Sequence, residues 1–264
     1  GTVGDGAVDV VRTLLIRGLL VGVAAGALVF LVATLLGEPS LNAGISFEEA
    51  RATATGEAHE PEVVSRTVQS TLGLALASVV YCAMIGGVFA IAYAVAQGRL
   101  GRLGVRATAL VVALAGFLAV GLLPALKYPA NPPGSSDGAT IGERTRWYFL
   151  MMAASVLVVV GAAVLARALA RRLGSWNSAI VAVLAGVGIL AAAYLVLPVV
   201  DETPDGFPAA ALWEFRLASI GIQVTAWAAI GLLFGALTER ALRATPPPPP
   251  LPPARTETRA VTGS

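Results

Sequence analysis

Residues 147–200 read WYFLMMAASVLVVVGAAVLARALARRLGSWNSAIVAVLAGVGILAAAYLVLPVV. Two runs without Asp, Glu, Lys or Arg, Trp147–Ala166 and Leu173–Val200, flank a short segment holding Arg167, Arg171 and Arg172. A helix rises 1.5 Å per residue, so about 20 apolar residues cover the roughly 30 Å of hydrocarbon in a bilayer. Each run is long enough, and the arginines between them belong in water. The stretch reads as a membrane hairpin with a basic turn. Four more uncharged windows, Gly18–Gly37, Thr67–Gly98, Ala107–Leu126 and Leu217–Thr238, extend this reading along the chain. A soluble core helix does not keep every face apolar for so long, six times in succession.

Composition agrees. Of 264 residues, 56% are hydrophobic and 13% charged, against roughly 45–50% and 25% in soluble domains; the mean hydropathy is +0.79. A soluble enzyme, a disulfide scaffold and a disordered chain are excluded. Cys82 is the single cysteine, so no intrachain disulfide forms, and His59 is the single histidine, which excludes a His-rich metal cluster within this chain. Gly1 stands where an initiating Met is expected, which leaves the true N-terminus open. The first window reads as a span rather than a cleaved signal, because it is long and no clear small-residue cleavage site follows.

Arginine and lysine set the orientation. With the N-terminus inside, the inner segments hold twelve basic residues and four acids, and the outer segments six basic residues and twelve acids. The short inner segments Arg99–Arg106 and Arg167–Arg172 are purely basic. The net charge of +2 conceals this segregation and does not argue for a nucleic-acid partner. The expected fold is therefore an all-α integral membrane protein, a six-transmembrane-helix bundle with both termini cytoplasmic and three long outer loops. Residues 1–243 form one transmembrane domain, with spans near 16–37, 70–96, 106–126, 147–168, 178–200 and 216–238. Residues 244–264, with Pro246–Pro250, Pro252 and Pro253, are expected to be a disordered, proline-rich cytoplasmic tail.

Gly18, Gly22 and Gly26 make a small-residue stripe on the first span, and Gly231 and Gly235 another on the last. Such stripes let backbones approach closely in lipid, and packing within the chain is the expected use. The outer connections, about Glu38–Arg66, Lys127–Arg146 and Asp201–Arg216, are long, which suggests a receiving face. The second and third share a grammar: a proline just inside the span end (Pro124, Pro198), further prolines beyond, then an acid, an arginine and aromatics. Each proline removes a backbone donor and frees a carbonyl near the surface. This is the mark of a duplicated helical pair, or simply of any outer hairpin.

No Walker loop, dinucleotide turn, His-Glu-x-x-His, Cys-x-x-Cys or Gly-x-Ser-x-Gly occurs, and nothing argues for catalysis. Within the spans, Cys82, Met84, Met151 and Met152 read as apolar packing. Gln69 and Gln223 need partners in lipid; with Asn131 they are the candidates for a transport path, since amide oxygens can replace an ion's hydration. In the first outer connection, a short helix over 45–55 would put Glu49 and Thr53 on one face and stop at Gly56. Glu48, Glu49, His59 and Glu60 are the candidate metal ligands, a donor set that divalent cobalt, nickel or zinc accepts. The alternative is a solvated His59 on a merely acidic face. Arg66, Arg144 and Arg216 stand at matching outer span ends, expected to pair with Glu38, Glu143, Asp205 or Glu214.

These outer motifs resemble the CbtA family of probable cobalt transporter subunits. The matching residues include Arg17-Gly18-Leu19-Leu20, Phe47-Glu48-Glu49-Ala50, Leu126-Lys127-Tyr128-Pro129-Ala130-Asn131-Pro132-Pro133, Pro204-Asp205-Gly206-Phe207-Pro208-Ala209 and Leu212-Trp213-Glu214-Phe215-Arg216. The resemblance covers about Arg12 to Arg243. It implies a multi-pass protein of the bacterial cytoplasmic membrane, working with a small CbtB companion whose histidines help handle the metal. The first outer connection of this chain has only His59, where some members look richer in histidine. The expected function is a membrane subunit of a divalent cobalt, or nickel, uptake system. Co2+ is then the transported ion, and no cofactor is permanently bound. The alternative is a non-transporting scaffold that binds a partner protein through its outer loops. Assembly into an oligomer is left open.

Overall fold

The computed structural model describes residues 3–56, 64–135, 140–200 and 203–244, and every regular element among them is helical. Five helices there are long and apolar enough to cross a membrane: Val8–Thr55, Arg66–Ala96, Val105–Lys127, Ile141–Val196 and Ala209–Ala244. Their surfaces carry large apolar side chains of the kind lipid solvates, with Leu195 87% and Val196 82% exposed.

The first helix, α1 (Val3–Val32), passes through a π-helical turn (Ala33–Gly37) into α2 (Glu38–Thr55). The first outer connection, expected as a loop with a short helix over 45–55, is thus helical from its start. Gly56 closes α2 in the left-handed conformation (φ 71°), its N–H bonded to the Ala52 carbonyl. Next come α3 (Arg66–Val68), a second π turn (Gln69–Gly73) and α4 (Leu74–Ala96). The third long helix consists of α5 (Val105–Gly116), a π stretch (Phe117–Leu122) and α6 (Leu123–Lys127).

Two of the three π stretches end just before a proline in the first turn of the next helix, Pro39 of α2 and Pro124 of α6. A proline inside a helix has no N–H for the carbonyl four residues back and its ring crowds that carbonyl. A wider turn there re-pairs the ladder without breaking the helix. Of the two expected proline breaks, the one at Pro124 is thus absorbed by a π turn, whereas Pro198 lies just beyond the end of its helix at Val196.

The element α7 (Ile141–Val196) would be about 84 Å long if straight, far beyond one bilayer. It is not straight. Gly174 has φ 74° and ψ 163°, outside helical geometry, so the chain reverses beside Arg171 and Arg172. Its two arms, 141–173 and 175–196, lie against each other: a Cβ added at Gly186 would meet Val158 at 3.3 Å and Ala162 at 3.8 Å. Neither pair could meet along a continuous helix.

The packed interior lies among α1, α4, α5 and α8 (Ala209–Ala244), and includes Val21, Ala25, Phe89, Tyr93, Ala109, Ala113, Ile230 and Phe234. The Gly18–Gly22–Gly26 stripe faces α4. Added Cβ atoms would meet the Gly86 carbonyl oxygen, the Cys82 carbonyl oxygen and, at 2.6 Å, the Val79 Cα. On α8, a Cβ on Gly231 would stand 2.6 Å from Ala113 Cβ, and one on Gly235 would stand 3.1 Å from Ala109 Cβ. Both stripes are used inside the chain, where close backbone approach gains dispersion contact. Cys82 and Met151 are fully buried, while Met84 is exposed on the surface.

Candidate functional site

The two ends of the bundle differ in chemistry. At the basic end, Arg17 donates to the Thr238 hydroxyl at 2.9 Å, and Glu239 takes Arg106 at 2.7 Å and Arg243 at 3.3 Å. Arg216 lies 23 positions from Glu239 on the same helix, about 35 Å by helical rise. That separation places polar residues at both surfaces of a roughly 30 Å hydrocarbon layer.

At the far end the three long connections meet. Gly44 of α2 packs on Pro132 and Pro133. Gly134, at φ 73°, lies so close to Glu48 that a Cβ there would stand 2.9 Å from the Glu48 Cβ. Phe47 makes an edge contact with Phe207, ring centroids 5.0 Å apart, which ties α2 to the third connection. Ser135, fully buried, donates to the Pro132 carbonyl at 2.6 Å.

The connection leaving α6 is stitched to the end of α7. Lys127 donates to the Tyr194 carbonyl at 2.9 Å, Tyr128 to the Pro198 carbonyl at 2.8 Å, and Tyr194 to the Leu123 carbonyl at 2.5 Å. Burial pushes the Tyr128 phenol above its ordinary pKa, with the Glu143 carboxylate adding to the shift, so it stays a neutral donor. Carbonyls near the prolines thereby find side-chain donors. Lys127, Tyr128 and Tyr194 were not singled out from the sequence as donors. A tyrosine or lysine next to a proline-interrupted span end is the signal that could have found them.

Each of the three arginines holds one of these segments. Arg66 meets Glu38 at 2.5 Å, with a further bond to Asn42 at 3.1 Å. Arg144 donates to the Pro129 carbonyl, and Arg216 donates to Asn131 Oδ1 at 3.0 Å. Glu143 receives the Trp147 indole N–H at 3.1 Å. Glu48, Glu49, Glu143, Asp205 and Glu214 are exposed. Thr53 donates to the Glu49 carbonyl at 2.9 Å, so these two residues share a face of α2. Among the described residues no three His, Cys, Asp or Glu side chains come together as metal ligands. His59 and Glu60 lie outside the described residues.

Of the amides, Gln69 is exposed and donates to the Val64 carbonyl at 2.7 Å. Gln223 lies deeper and donates to the Tyr81 hydroxyl at 2.7 Å, while its buried Oε1 has no donor. Gln223 lines a cavity of about 290 Å³ between the end of the third long helix, the start of α7 and α8, and Asn131 accepts a bond from Arg216 on its wall. Gln69 does not line it. Past Gln223 the buried face of α8 is filled by Trp227, Ile230 and Phe234, with Phe89 and Tyr93 edge-on to Phe234.

Long apolar helices packed through glycine stripes, with charged groups confined to the two ends, define a multi-pass helical membrane protein. A family model described as probable cobalt transporter subunit (CbtA) matches residues 11–239, and the chain belongs to this family. No curated protein and no solved structure matches the chain.

Proposed function

We propose that this chain is the integral membrane subunit of a divalent cobalt uptake system, with nickel as the other ion its ligand types suit. The observation that carries the proposal is membership of the cobalt transporter subunit family over residues 11–239. Counting the two arms of α7 as separate crossings gives six, with both termini on the basic side, the cytoplasmic side of a bacterial membrane. The exposed acids Glu48, Glu49, Glu143, Asp205 and Glu214 then face outward, where their field raises the local concentration of a dication. His59 and Glu60 belong to the same connection as Glu48 and Glu49 and supply further donors. A small CbtB-like companion in the membrane would complete the metal-handling set.

One observation favours a second reading, that of a non-transporting scaffold for a partner protein. The interior below Gln223 is filled by Trp227, Ile230 and Phe234 rather than by polar groups. On that reading the companion conducts the ion and this chain only holds it. Radioactive cobalt uptake, measured in cells lacking other importers with this chain, the companion, both or neither, separates the two. Uptake that requires this chain and is weakened by replacing Glu48, Glu49 and His59 supports the transport reading. Uptake with the companion alone, unaffected by this chain, overturns it.

A further inference from the structure

The cavity beside α8 has the wrong sign for a bare metal ion. The described residues around it include Arg144 and Arg216 and no acid. Arg216 has no carboxylate partner among the described residues; its Nη2 donates to the Asn131 amide oxygen, and its Nε is buried without an acceptor. A guanidinium presents its donors as a planar fork matched to two oxygens. At Arg216, Asn131 takes Nη2 and the Nε donor is left unfilled. The hydroxyls of Thr145 and Ser219 also line the wall, and Gln223 follows with a buried oxygen that accepts nothing. The rest of the wall is largely apolar, and Gly121 keeps room there: a Cβ on it would stand 3.5 Å from Gln223 Oε1. A volume of about 290 Å³ sits at the small end of ligand pockets.

The geometry points to an oxyanion site: this cavity binds a carboxylate or phosphate group beside the Arg216 guanidinium, with Arg144 adding positive potential, and the ligand's hydroxyl or apolar body lies toward Gln223. A buried charge-assisted bond of this kind is stronger than a neutral one. The inference does not depend on cobalt uptake. The group can arrive on a free organic acid, as inorganic phosphate, or on a lipid headgroup at the membrane surface.

The test uses the full chain in a neutral detergent and a phosphate-free buffer, with ionic strength held constant by chloride. Thermal unfolding is followed with malate, inorganic phosphate, phosphatidylglycerol or cobalt chloride. At least one of the first three raises the melting temperature, and Arg216→Gln removes that rise. A rise with malate or phosphate identifies a free anion; a rise with phosphatidylglycerol alone identifies a headgroup. Arg216→Lys keeps the charge and loses the planar guanidinium donors. It weakens the apparent affinity roughly tenfold or more, and it serves as the readout if the Gln variant does not fold. The site is overturned if none of the three anions acts beyond chloride, if both variants respond as the parent does, or if cobalt chloride alone gives a rise that depends on Arg216.

Discussion

Gln223 and Tyr81, 142 positions apart in sequence, meet through a 2.7 Å bond from the amide nitrogen to the tyrosine hydroxyl, which joins α8 to α4. The other end of the amide is already without a partner, so this bond is the one interaction that satisfies Gln223. Tyr81→Phe is expected to destabilise the protein by roughly 1–3 kcal/mol, because the whole amide is then buried unpaired. In a Gln223→Leu background the same change costs much less. A double-mutant cycle on detergent-solubilised protein measures the difference.

The α1–α4 contact predicts a contrast between two glycines. Gly22→Ala places a methyl against the Cys82 carbonyl and the Ala83 Cα, and backbone has to move. A loss of about 1–3 kcal/mol follows. Gly188→Ala meets nothing within 4 Å and is expected to be neutral or slightly stabilising, since alanine is the better helix former. Melting temperatures of the two variants check this.

Gly174 carries the reversal of α7. Its φ of 74° and ψ of 163° lie where a side chain is strongly strained. Gly174→Ala is expected to cost about 1–3 kcal/mol and to lower the folded yield in membranes, with Gly161→Ala, whose added methyl meets nothing within 4 Å, as the control.

The Arg66–Glu38 pair is largely shielded, its side chains 29% and 15% exposed. That predicts a coupling of about 1 kcal/mol, near the top of the surface range, which shrinks as salt is added. The cycle Glu38→Gln, Arg66→Gln at low and high salt measures it.

Much of this architecture is legible in residue type alone. Windows free of charge mark the membrane helices because lipid punishes every exposed polar group, and Gly18, Gly22 and Gly26 mark the α4 contact because only small residues allow it. Gly56 ends α2 as a glycine cap should. Other features rest on contacts between distant parts of the chain. Polar residues after Gly37 suggested a loop, yet Pro39 suits the first turn of a helix and α2 runs on to Thr55. The π turns before Pro39 and Pro124 have no sequence mark beyond the prolines themselves. The three connections were read as separate, and only the packed chain brings Phe47 to Phe207 and Glu48 to Gly134. Gln223 announced that it needed a partner, but nothing near it in sequence named Tyr81. The cavity at Arg216 was illegible for the same reason: its walls come from three helices.

Beneath the cobalt proposal lies one claim, that the acidic connections and the basic turns face opposite sides of a single bilayer. It is tested most directly by replacing Cys82 with Ala, placing one cysteine at Glu49 or at Arg102, and treating intact cells with a membrane-impermeant thiol reagent. The account predicts that position 49 reacts from outside and position 102 only after the cells are opened. Reaction of both positions from the same side contradicts it.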